Sequence, residues 1–172
     1  MFGKKKAYAD KDKKGDEVEL TEAKGSEQAS VGEMKRGDYR IHVYVEKAKD
    51  LKVPDDSTID PLIEISCLNL KQYSTVKEKI GGIGETVWNE HLFLEPMNVE
   101  KLSADEAKIS LKILDKGLLK NTQIGQFEFD MSFIYFKKDH ALLHQWVAIS
   151  DPNSENYSEI TGYLKISINV CC

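Results

Sequence analysis

The sequence predicts an all-β protein, an eight-stranded antiparallel β-sandwich. Three observations predict it. Short segments alternate apolar and polar residues with the period of a strand, as in Tyr39-Arg40-Ile41-His42-Val43-Tyr44-Val45-Glu46 and again from Gly162 to Val170. Polar, turn-forming stretches lie between such segments, for example Val53-Pro54-Asp55-Asp56 and Asp151-Pro152-Asn153. Finally, Trp88, Leu92 and Leu94 form an apolar row at even spacing that must be buried. That row makes Thr86 to Glu95 the expected central strand.

In chain order, residues 1–36 read as a disordered charged tail. Lys4, Lys5, Lys6, Lys11, Lys13 and Lys14 make its beginning basic, and an acidic block from Asp16 to Glu33 follows. Apolar residues there are too sparse to offset the entropy of ordering. The folded domain is expected over 37–172. Its first strand leads through Ala48-Lys49-Asp50-Leu51 into an acidic loop ending at Asp60. Pro61 opens the next strand, in which Cys67 is a small core residue. Lys71 to Lys79 reads as a further strand, with Lys71, Tyr73, Thr75, Lys77 and Lys79 on one face. Gly81-Gly82-Ile83-Gly84 then turns the chain into the Trp88 strand. No helix N-terminus and no Lys-Ser/Thr pair follows these glycines, so they do not make a phosphate loop.

Pro96 ends the Trp88 strand, and a helical turn is expected near Val99 to Leu102. Strands from Lys108 to Asp115 and from Ile124 to Asp130 flank a loop at Lys116 to Thr122. Met131 to Phe136 reads as a short helical crossover, His144 to Ser150 as a strand around Trp146, and Gly162 to Val170 as the closing strand. No internal repeat is present.

Composition narrows the function classes. The chain has 172 residues and a formal net charge of −5, which argues against a nucleic-acid partner. Cys67, Cys171 and Cys172 form no CxxC pair and leave an odd count, so a disulfide framework is not expected and a reducing setting is. No apolar run approaches the roughly 20 residues that span a bilayer. The start reads as neither a signal peptide nor a myristoylation site. His42, His91, His140 and His144 are scattered over different elements and supply no zinc set. No nucleophile motif is present, so catalysis is not expected.

Several segments together resemble a known family. Ala48-Lys49-Asp50-Leu51, the loop closing on Asp60-Pro61, Val87-Trp88-Asn89-Glu90 and Ile124-Gly125 are similar to a C2 domain. Ile124 to Asp130, Ile134-Tyr135, Trp146, Ser150-Asp151-Pro152 and Gly162-Tyr163-Leu164-Lys165 resemble the second C2 domain of the ferlins, which are multi-C2, tail-anchored proteins of vesicle traffic and membrane fusion. The resemblance implies a type II strand order and a segment of a longer protein. It also implies peripheral binding to an anionic phospholipid membrane at its cytoplasmic face, or to neighbouring domains. Two alternatives remain open: a calcium-dependent phospholipid-binding C2 domain, and the membrane-targeting domain of a kinase or phospholipase.

The same resemblance supplies site residues. Asp55, Asp60 and Asp115 match calcium-ligand positions, with Asn121 at best a neutral oxygen, while Gly117 stands where the family carries another acid. A Ca²⁺ ion takes six to eight oxygens, several of them charged, so this set predicts weak calcium binding or none. Leu118 and Leu119, flanked by lysines at a loop tip, are candidates to wedge into a headgroup layer. Lys71, Tyr73, Lys77 and Lys79 lie where many C2 domains carry a phosphoinositide patch, so they are expected to meet anionic headgroups.

Overall fold

The alternating segments pair as ladders because each buries one face and must satisfy every backbone N–H and C=O. In a computed structural model that describes residues 32–172, eight antiparallel strands form in chain order. They are β1 (Arg40–Lys49), β2 (Pro61–Cys67), β3 (Leu70–Tyr73), β4 (Thr86–Leu94), β5 (Lys108–Asp115), β6 (Thr122–Asp130), β7 (Ala141–Ser150) and β8 (Ile160–Cys171). Their spatial order is β3-β2-β5-β6-β7-β8-β1-β4. The belt divides into two sheets of four strands, because β6 meets β7 through the single pair Gln126 and Ser150. At that corner a Cβ on Gly125 would lie 2.4 Å from Thr161 Oγ1 and 3.1 Å from Ile149 Cδ1, so glycine permits the close approach.

Inward residues at strand spacing make the core. Ile41, Val43 and Val45 of β1 join Ile63 and Ile65 of β2, Ile109, Leu111 and Ile113 of β5, and Leu164, Ile166 and Ile168 of β8 in one buried cluster. Each such side chain contributes about 1.5–3 kcal/mol relative to exposure. Trp88, Leu92 and Leu94 are buried as their spacing predicts, while Val87 and Phe93 point outward. Cys67 is buried too, and burial pushes its thiol up to about 12.

The Trp88 strand is not central. β4 is an edge strand, hydrogen-bonded only to β1, and its side chains reach across to the other edge of the belt. Trp88 Nε1 donates to Thr75 O at 3.0 Å, and the Glu90 carboxylate accepts from Thr75 N–H at 2.9 Å and from the Thr75 hydroxyl. Spacing identifies the face a strand buries and is silent on which strands flank it.

The strand expected from Lys71 to Lys79 ends at Tyr73. The Ser74 side chain is the cause. Its Oγ accepts the Ile63 N–H at 2.8 Å and donates to Thr75 O at 2.9 Å, so of the next rung only Ser74 N–H to Ile63 O, at 2.9 Å, remains backbone to backbone.

The helical elements are short: α1 (Lys101–Glu106), and α2 (Met131–Tyr135) with a 3-10 turn (Lys138–His140) after it. The expected turn near Val99 thus falls slightly later, and β7 starts at Ala141. The folded unit begins before Gly37: Met34 is 1% exposed, and its N–H donates to Asp105 Oδ1 at 2.9 Å. The tail expected over 1–36 otherwise lies outside the described residues.

Candidate functional site: the loop end of the sandwich

Strand polarity brings four connections to one end of the sandwich. They are the β1–β2 loop (50–60), the β3–β4 loop (74–85), the β5–β6 loop (116–121) and the β7–β8 loop (151–159). The aspartates singled out by sequence stitch three of these together. Asp60 N–H donates to Asp115 Oδ1 at 2.8 Å, Lys79 N–H donates to Asp60 Oδ1 at 2.7 Å, and Lys116 N–H donates to Asp60 O at 3.0 Å. Ile59 and Ile80 add a two-way backbone bridge at 2.8 and 2.9 Å. Loop ends carry unpaired amides, and a short carboxylate is a ready acceptor for them.

A cleft of about 450 Å³ opens at this end, lined by Asp55, Asp115, Asp151, Lys52, Glu159 and Ser154 among others. Lys52 Nζ and Glu159 pair at 3.1 Å. Asp151 accepts from Gln123 Nε2 at 3.3 Å and from Asn153 N–H at 3.0 Å. Ser154 Oγ is buried with no hydrogen-bond partner among the described residues. Asp55 is exposed, and Asn121 is exposed and does not line the cleft. Among the described residues no group of three or more His, Cys, Asp or Glu is placed to hold a metal ion. Asp151 and Glu159 were missed as cleft residues from sequence, since their loop belongs to no expected ligand set.

The β5–β6 loop differs. Leu118 and Leu119 are fully exposed, at 106% and 100%, with Lys116 and Lys120 exposed beside them. Ile83 and Tyr157 are exposed on two other loops of the same end. Gly117 is required by the turn: a Cβ there would lie 2.1 Å from Lys120 O. An acid at this position, as the resemblance implies, would therefore force the loop to change shape.

The four residues expected on one strand face fall on two elements. Lys71 and Tyr73 lie on β3, but Lys77 and Lys79 belong to the β3–β4 loop, where Lys79 has a left-handed backbone (φ 56°). Within the β2–β3 face, Glu64 sits opposite Tyr73 and 3.5 Å from Lys71 Nζ. The Glu64 carboxylate, with a smaller contribution from burial, raises the Tyr73 phenol above its ordinary value. The face thus carries its own counter-charge.

Comparison with known proteins gives consistent results. The family model for the C2 domain matches residues 39–149. Myoferlin of Xenopus tropicalis is 24% identical over 148 residues, covering 86% of this chain. Ferlin 1 of Toxoplasma gondii is 24% identical over 139 residues, covering 77% of this chain. The chain spans 7% and 10% of the length of these two relatives. Among solved structures, Extended-Synaptotagmin 2, in a form holding its SMP domain and two C2 domains, superposes with a TM-score of 0.61 at 18% identity, covering 78% of this chain and 28% of that one. This last likeness shows the fold.

Proposed function

The chain belongs to the C2 domain family, and from that premise we propose a non-enzymatic module that docks its loop end on an anionic phospholipid surface with little dependence on calcium. The observation that carries the reading is the pair Leu118 and Leu119, fully exposed at a loop tip and flanked by lysines. Two adjacent leucines in water have no folding role there, and their transfer into a headgroup layer is favourable. Lys116, Lys120 and Lys79 add attraction to anionic lipid of about 1 kcal/mol each near the surface.

The aspartates support low calcium dependence. Asp60 and Asp115 each commit an oxygen to a main-chain amide, and Asn121 lies outside the cleft lining. The donor set fits a Ca²⁺ ion poorly, because the ion needs six to eight oxygens with several charges. The likeness to ferlins supports a parent protein of membrane traffic, acting at the cytoplasmic face of membranes and tail-anchored, with neighbouring domains as further contacts.

A second reading, calcium-dependent lipid binding, is favoured by the shared cleft of Asp55, Asp115 and Asp151. Co-sedimentation with phosphatidylserine vesicles separates the two. The expected result is equal binding in chelator and in calcium, unchanged in Asp115→Asn, which keeps the acceptor oxygen and removes the charge. Binding that appears only with calcium and disappears in that variant would establish the second reading.

A further inference from the structure

The pairing of β1 with β4 brings together two histidines that stand 49 residues apart in the chain. His42 lies opposite Phe93, and Tyr44 opposite His91, in regular antiparallel register. All four side chains point outward, because Ile41, Val43, Leu92 and Leu94 take the inward phase. The register is regular as far as Val45. A bulge follows, which turns Ala48 inward and Lys47 and Lys49 outward, so the four rings sit on the undistorted part of the ladder.

These rings form one continuous stack. Phe93 lies on His42 with centroids 4.5 Å apart and planes at 9°, His42 on His91 at 5.0 Å and 22°, and His91 on Tyr44 at 4.5 Å and 18°. The Tyr44 hydroxyl donates to Asn89 Oδ1 at 3.1 Å and fixes the ring at that end. Two imidazoles are thus held between a phenyl and a phenol ring, and His42 Nε2 and His91 Nδ1 face each other at 2.8 Å. The charged groups around them have partners of their own. Arg40 is paired with Glu95, Glu46 with His144 and Lys165, and the Glu90 carboxylate is held by Thr75.

We propose that His42 and His91 chelate one divalent ion of the late first transition row, Cu²⁺, Ni²⁺ or Zn²⁺, as a two-imidazole site on the β1–β4 ladder. Donor type is the first reason: neutral imidazole suits these ions, and histidine is largely uncharged at neutral pH. The bite is the second. Metal–nitrogen bonds of about 2.0–2.1 Å close the 2.8 Å gap at an angle of about 90°, the tetragonal angle that Cu²⁺ and Ni²⁺ favour. Tetrahedral zinc needs the gap to open by about half an ångström. Preorganisation is the third reason: the stack already restricts both rings, so little side-chain freedom is left to lose. As the ion enters, the proton between the facing nitrogens passes to the outward nitrogen of its own ring, and the pair stays neutral. Among the described residues no third His, Cys, Asp or Glu stands with them, so water completes the coordination. The bound ion ties the edge strand β4 to β1. Roughly 20 Å of strand separates His42 from Lys49, where the first loop begins, so this site is independent of the loop end.

The test is calorimetric titration of the full chain in a Cys171→Ser/Cys172→Ser background, because both thiols are exposed and would compete for these ions. One ion per chain is expected, with Cu²⁺ bound tighter than Ni²⁺ or Zn²⁺ and no displacement of bound Ni²⁺ by Ca²⁺. His42→Asn and His91→Asn should each weaken binding by about tenfold or more, and His140→Asn/His144→Asn should leave it unchanged. Two readouts keep both ligands and do not depend on a histidine variant folding. The paramagnetic resonance spectrum of the Cu²⁺ form should show two imidazole nitrogens, and saturating Ni²⁺ should raise Tm. Affinity unchanged in either single variant, affinity lost in the His140/His144 variant, or a Cu²⁺ spectrum with fewer than two imidazole nitrogens would each overturn the proposal. One ion per two chains with four imidazole nitrogens would overturn the single-chain site in favour of an ion shared between two copies.

Discussion

The β1–β2 and β5–β6 loops lie at the same end of the sandwich and use their side chains in opposite ways. Asp60 has one carboxylate oxygen and its N–H occupied, accepting from Lys79 N–H and donating to Asp115. Leu118 and Leu119 have no partner among the described residues and are fully exposed. A carboxylate oxygen held by a loop amide ties the loops together, whereas the exposed apolar pair adds nothing to the fold. The difference teaches that acids at this end serve the fold, and the proposed reading puts surface contact at the loop tips.

The largest expected effect breaks the comparison from the apolar side. In Leu118→Asp/Leu119→Asp, partitioning onto anionic vesicles should fall by about tenfold to a hundredfold, since each leucine transfers up to about 1.5–3 kcal/mol. Urea unfolding of the same variant should be unchanged, because neither side chain touches the core. From the acidic side, Asp115→Ala leaves the Asp60 N–H without its acceptor and should cost about 1–2 kcal/mol in urea unfolding. Asp55→Ala, at an exposed position, should stay within about 0.5 kcal/mol. Equal effects at Asp55 and Asp115 would dissolve the distinction drawn between them.

Gly117→Asp sharpens the comparison further. It restores the acid that the loop lacks, but its Cβ would meet Lys120 O at 2.1 Å. The expected result is a remodelled loop with no calcium-dependent rise in Tm. A clear rise would mean that residue identity alone had excluded the ion.

The smallest effect lies off the loop end. Desolvation, and then the neighbouring His91, hold His42 below its ordinary value. The folded state therefore favours the neutral ring. Its contribution is complete above the unfolded value of about 6.5 and is lost as pH falls through that value toward the folded one. Tm should drop modestly over that interval, and His42→Asn should flatten the drop.

Much of this architecture was legible in residue spacing, and the reasons for the exceptions are physical. Trp88, Leu92 and Leu94 had to be buried because a strand alternates its faces, whatever its neighbours. The edge position of β4 depends on pairing between distant segments, which alternation does not encode. The early end of β3 turns on one hydroxyl, Ser74 Oγ, capturing a ladder amide. Lys47 and Lys49 hold the clearest lesson. Continuing the Ile41-Val43-Val45 phase would have placed both inside, and two unpaired ammonium groups cannot be buried there. That conflict was a readable signal for the bulge, with Ala48 as the residue small enough to turn inward. At the loop end, Leu118 and Leu119 were identifiable as tip residues. The anchoring of Asp60 by Lys79 N–H was not, because it joins residues of separate loops.

The most direct test is depth. A tryptophan introduced as Leu118→Trp, read against the unsubstituted chain, should be quenched by brominated lipid in anionic vesicles with chelator present, and calcium should add little. Quenching that requires calcium, or none while the protein is bound to the vesicles, would contradict docking through the loop tips without the metal.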